Sequence, residues 1–158
     1  MRTPRRLLLA EDVTVSSRTT GLFTGPAMEV WDRIEAPETQ VLMSPETVLA
    51  GRLPGTGRGV GEIQYYVREV DHRRDLVAIE ILEYEHGRRA VTETITHPDV
   101  RLRTTTLLES AGDDRVRLTH EWSIILPAGT DAAHAEAMNA YVDACAEHTA
   151  TTLRRVFD

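Results

Sequence analysis

Residues 131–157, DAAHAEAMNAYVDACAEHTATTLRRVF, decide the fold. The run contains neither Pro nor Gly and is rich in Ala, the conditions for one uninterrupted helix. Thr130-Asp131 supplies the N-cap, where a short side-chain oxygen can accept from an unpaired amide of the first turn. At about 1.5 Å per residue this helix reaches roughly 40 Å. Met138, Tyr141, Val142, Cys145, Thr149, Thr152 and Val156 return at steps of three and four and predict one buried stripe. A lone helix cannot bury that stripe, so the strand-like runs before it must curve around it.

Those runs follow in order. Residues 6–17 predict a first strand, with Val13 and Val15 alternating against Thr14 and Ser16, and 18–25 read as a loop. Pro26 opens a short helix whose Met28, Trp31 and Ile34 share a face. Pro37 stops it and starts a second one through Val41, Leu42 and Met43. Ser44-Pro45-Glu46 offers another helix start, but Thr47-Val48-Leu49 favours a strand. A meander follows. Its strands are 60–70 with the apolar phase Ile63, Tyr65 and Val67, then 76–86, which is apolar in both phases and leaves its inner face open. Next comes 89–97, with Val91, Glu93, Ile95 and His97 in one phase. Strand 100–110 carries Leu102, Thr104, Thr106 and Leu108 together, and 115–126 carries Val116, Leu118, His120, Trp122, Ile124 and Leu126. Polar 71–75, Gly87-Arg88, Pro98-Asp99 and Gly112-Asp113-Asp114 are the turns. The pattern predicts an α+β chain: a seven-stranded curved antiparallel sheet wrapped around a long C-terminal helix, with two short helices between strands 1 and 2. Residues 1–158 read as a single domain, large enough for a core or an internal cavity.

Composition narrows the function. A formal net charge of −7 disfavours a phosphate backbone, so no nucleic-acid partner is expected. All 18 basic residues are Arg and lie scattered. Cys145 is the one cysteine, which excludes an internal disulfide and fits a reducing, cytoplasmic setting. Residues 1–10 mimic the opening of a signal peptide, but the apolar run before Glu11-Asp12 is too short for one. No stretch approaches the roughly 20 apolar residues of a membrane span, so no integral membrane segment is expected. The glycine-rich 54–61, PGTGRGVG, invites a phosphate-loop reading. That needs a following helix or a Lys-Ser/Thr ending, whereas 62–70 alternates like a strand and the chain has no Lys. A flexible turn is the better reading. Cys145 and His148 are three apart with His134 further up the helix, too few ligands for zinc, so no metal and no cofactor are expected.

The polar residues that share the apolar strand phases are the candidates for chemistry. His120, between Leu118 and Trp122, suits a general base or a hydrogen-bond donor to a ligand carbonyl. The competing reading, which buried polar groups more often fit, is a core histidine with a satisfied partner. Glu93 shares a phase with Val91 and Ile95, and a carboxylate there needs a cationic partner or a proton. His120 and Glu93 together form the candidate acid–base pair. Trp31, Tyr65, Tyr84, His97, Trp122 and Tyr141 are candidate ligand-binding residues, with His97 at the rim.

The order of elements, together with Pro26-Ala27-Met28-Glu29-Val30-Trp31-Asp32-Arg33-Ile34, Pro54-Gly55-Thr56, Gly59-Val60-Gly61-Glu62, Leu82-Glu83-Tyr84-Glu85 and Arg117-Leu118-Thr119, resembles the START-like (SRPBCC) superfamily. Within it the chain looks closest to the bacterial polyketide cyclase/dehydrase and lipid-transport group. The resemblance covers about residues 11–157. It implies a helix-grip fold and an apolar pocket opening near the glycine-rich loop. The implied partner is a hydrophobic, polyketide-like or lipid-like small molecule, cyclised and dehydrated there or only carried, in a monomer or homodimer. A protein-interaction module is the remaining alternative.

Overall fold

The structure, a computed structural model, describes residues 7–43, 45–96 and 100–157. Its elements are β1 (Val13–Thr24), α1 (Ala27–Glu35), α2 (Thr39–Met43), β2 (Thr47–Arg52), β3 (Ile63–Val70), β4 (Arg73–Glu85), β5 (Arg89–Thr94), β6 (Leu102–Ser110), β7 (Arg115–Leu126) and α3 (Ala132–Phe157). The strands form one antiparallel sheet in the order β1-β7-β6-β5-β4-β3-β2, curved around α3 as the sequence predicts. Asp131 caps α3 through its Oδ1, which accepts from the Ala133 amide at 2.9 Å.

β1 begins and ends seven residues later than the periodicity predicts and absorbs most of the expected 18–25 loop. It pairs with β7 along its whole length, from Val13 opposite Leu126 to Thr24 opposite Arg115. Ser17, Thr19 and Gly21 point inward opposite the larger Trp122, His120 and Leu118. Small inward residues against large ones fill the layer, but they erase the apolar alternation that marks a strand. Gly21 is required there, because a Cβ would come within 2.8 Å of the Phe23 ring.

The turn between β3 and β4 shrinks from the predicted 71–75 to Asp71-His72, both at positive φ (49° and 62°), as a tight two-residue hairpin demands. Register also resolves the face of β4. Val77, Ile79 and Ile81 face inward, a register shift between Ile81 and Glu83 follows, and Tyr84 then faces inward opposite Ala90. At its start the strand looks apolar in both phases because Leu76 and Ala78 lie on the convex face beside Val67 and Tyr65, while the later bulge brings Tyr84 into the inward phase.

The buried stripe of α3 is Val142, Ala146, Thr149, Thr152 and Leu153, so the helix is rotated slightly from the predicted face and Tyr141 stays 44% exposed. Thr149 and Thr152 are buried at little cost because their hydroxyls donate to the Cys145 and His148 carbonyls. α3 packs on β1 and β7. Its core divides in two: Phe23, Val30, Trp31, Leu108, Val116, Leu118 and Leu153 at one end, Ile124, Leu126 and Val142 at the other.

Candidate functional site

Between the two apolar clusters the concave face turns polar. One inward row across the sheet runs Thr19, His120, Thr106, Ala90 and Tyr84, and the next runs Ser17, Trp122, Thr104, Thr92 and Ile81. The Thr106 hydroxyl meets His120 Nδ1 at 2.9 Å, and the Thr92 and Thr104 hydroxyls meet at 2.6 Å. Trp122 donates from Nε1 to the Thr149 hydroxyl of α3 at 3.1 Å, tying sheet to helix. The His120 and Trp122 rings lie edge to face, 5.3 Å apart.

His120 is the most strongly perturbed group of this belt. Burial without a countercharge pushes its pKa down to about 4, so the ring is neutral at neutral pH. His120, Trp122, Thr104 and Thr92 nevertheless keep some accessible surface on the concave face. On the same face, at the β3–β4 hairpin, Arg68, Val70, Asp71, Arg73 and Asp75 line a depression of about 530 Å³. That is the opposite end of β3 from the glycine-rich loop, where the resemblance implies the opening.

Glu93 does not join His120. It sits opposite Arg103 and Glu80, on the convex face, and accepts from Arg103 Nη2 at 2.8 Å and from Arg101 at 3.4 Å. Those hydrogen bonds outweigh the opposing effect of its own desolvation and hold its carboxyl below the usual range. Strand β5 is in the other phase from the one expected: Ala90, Thr92 and Thr94 face α3, while Val91 and Glu93 face away. The error is one residue, which in a strand exchanges every side chain between faces. Tyr65 is likewise on the convex side, opposite Gly51 and Ala78, with the space for a Gly51 side chain filled by its hydroxyl. His97 lies outside the described residues. Trp31 is 2% exposed within the first core cluster and donates weakly to the Tyr84 hydroxyl at 3.4 Å. Tyr84 and Trp122 face the concave side. Tyr141 reaches that side from α3, and its hydroxyl is pushed up by burial and by Cys145.

The sequence also hides a second polar assembly, at the start of β3. Glu62 is fully buried, yet its carboxylate accepts from Arg52 Nε at 2.7 Å, Gln64 Nε2 at 2.8 Å and the Gly59 amide at 3.2 Å. Gln64 in turn accepts from the Tyr66 hydroxyl at 2.7 Å, and burial raises the Tyr66 pKa strongly. The glycine-rich loop therefore has a structural task. Gly59, at φ +91°, brings its amide to Glu62 where a Cβ would press on the Tyr84 ring at 3.2 Å. The signal was an acidic residue closing a glycine run at a strand entry.

No protein-family model and no curated protein matches the sequence. Solved structures do match. The aromatase/cyclase Zhui from Streptomyces sp. R1128 superposes with a TM-score of 0.66 at 16% identity, over 90% of this chain and 93% of that one. A START superfamily protein from Mycobacterium smegmatis gives 0.67 at 13% identity, over 90% and 96%. BexL, a di-domain aromatase/cyclase of the BE-7585A biosynthetic pathway, gives 0.72 at 15% identity over 89% of this chain, which spans 45% of BexL. This chain has the START-like helix-grip fold. At these identities the likeness establishes the architecture alone, and the chemistry rests on this helix-grip chain's own side chains. No helix among the described residues is long and apolar enough to cross a membrane.

Proposed function

We propose that this protein binds an oxygenated hydrophobic small molecule, polyketide-like or lipid-like, in the space between α3 and the concave face. The observation that carries this reading is the belt of His120, Thr104 and Thr92, which keeps accessible surface between two apolar clusters, with buried Thr106 holding the His120 ring from behind. An apolar body fits the clusters and a few carbonyls or hydroxyls fit the belt, the usual division of labour in a ligand pocket. Neutral His120 offers a hydrogen bond without imposing a charge on such a ligand.

Cyclisation and dehydration remain the second reading, favoured by the fold shared with two proteins described as aromatase/cyclases. In that version the belt folds a reactive polyketone and orients it, a contribution of several kcal/mol by proximity. His120 then acts without Glu93, as the hydrogen-bond donor or proton acceptor at the reacting carbonyl. A monomer or homodimer with no nucleic-acid partner, acting in the cytoplasm as one domain over 1–158, completes the proposal.

Titrating the protein with aromatic polyketides, sterols and fatty acids while following tryptophan emission tests binding. Thr104→Val and Thr92→Val should weaken the oxygenated ligands about tenfold, the value of one hydrogen bond, and leave saturated fatty acids unchanged. Equal affinities in wild type and both variants would remove the belt from the site. His120→Ala, assayed for turnover of a polyketone separately from binding, decides between carrier and cyclase.

A further inference from the structure

We infer that Asp32, Glu35 and His86 form a binding site for a divalent first-row transition cation of the zinc or manganese class. Asp32 and Glu35 are three apart on α1 and so share a face of its last turn, and His86 follows β4. One ligand-capable atom from each lies within 4.8 Å of the others.

The independent observation is the state of Glu35. Its side chain is only 7% exposed, and its Oε1 is buried without a hydrogen bond of normal geometry, with the Tyr84 hydroxyl close enough to interact with the carboxylate. The nearest cation, Arg52 Nη2, is 4.0 Å away, and Arg52 already holds Glu62 through Nε at 2.7 Å. A buried carboxylate oxygen without a well-formed hydrogen bond is costly, and a metal ion is one of the few partners that satisfies it.

The surroundings suit a metal as well. His86 Nδ1 meets the Tyr84 hydroxyl at 2.7 Å, so a neighbour sets the ring orientation. Two carboxylates and one imidazole make an oxygen-rich, borderline donor set that favours zinc or manganese over copper(I). Ligands about 2.1 Å from one ion lie about 3 to 3.4 Å apart, so the trio has to contract. Asp32 and His86 are exposed and can rotate, whereas Glu35 is the fixed arm. Three protein ligands leave coordination positions for water.

The test is calorimetric titration of chelator-stripped protein with zinc chloride and with manganese chloride, in wild type, His86→Ala, Asp32→Asn and His148→Ala. The expected result is one site that weakens at least tenfold in His86→Ala and Asp32→Asn and is unchanged in His148→Ala. Asp32 and His86 are exposed, so these variants leave the core intact. Absence of binding in the wild type, affinity unaltered by His86→Ala and Asp32→Asn, or loss in His148→Ala alone would each overturn the assignment.

Discussion

Arg52→Ala should destabilise the protein by about 3 kcal/mol, read as a lower urea midpoint at unchanged slope. Glu62 is fully buried, and in the native state the Arg52 guanidinium is its cation. Truncating Arg52 leaves the carboxylate with the Gln64 side chain and the Gly59 amide as donors and no countercharge. Those two remaining hydrogen bonds keep the loss at the lower end of the range for a broken buried pair. Glu62→Gln added to Arg52→Ala removes the stranded charge and should recover much of the loss, a coupling that a double-mutant cycle measures. If Arg52→Ala instead costs less than 1 kcal/mol, the Glu62 cradle is not what holds the glycine-rich loop.

The second large effect concerns pH. The His120 pKa falls from 6.5 to about 4 on folding, so between those values the unfolded chain takes up a proton that the native state refuses. The stability due to neutral His120 is complete above pH 6.5 and is lost as pH falls toward 4, an amount that the ring's remaining accessible surface holds below roughly 3 kcal/mol. Carboxylates titrate over part of the same interval. The informative quantity is therefore the difference between wild type and His120→Gln, whose stability should fall less steeply from pH 7 to pH 4. Parallel curves for the two proteins would mean that His120 is charged at little cost, and hence that the belt is wet.

These effects lie on different levels of what the sequence made legible. The helix-grip architecture could be read from 131–157 and from strand patterns such as 115–126, because a long uninterrupted helix and a clean period of two each admit one arrangement. The phase of β7, with His120 inward, followed directly. β5 did not, since Val91 and Ile95 beside Glu93 look inward by hydrophobicity while the register turns Ala90 and Thr92 to α3. Val91 is buried on the other face, at 3% exposure, so its apolar character was genuine and its direction misread. Thr104 and Thr106 were legible as sharing the phase of Leu102 and Leu108, whereas Thr92 gave no hydrophobic signal beside Val91 and so the belt around His120 was only partly visible. Glu62, Arg52 and Gln64 come together through a loop closure, and Asp32, Glu35 and His86 through packing of α1 against the end of β4. Neither spacing is local enough to announce itself.

Native mass spectrometry of freshly purified protein, set against the mass after denaturation and again after chelation, tests for the ligand site on the concave face. The expected result is a retained small molecule, or a one-to-one complex after loading with an aromatic polyketide, that persists when any metal ion is stripped. The Thr104→Val, Thr92→Val double variant should release that molecule more readily. A bare mass in the purified protein, with no complex formed by polyketides, sterols or fatty acids, would contradict a ligand site on the concave face.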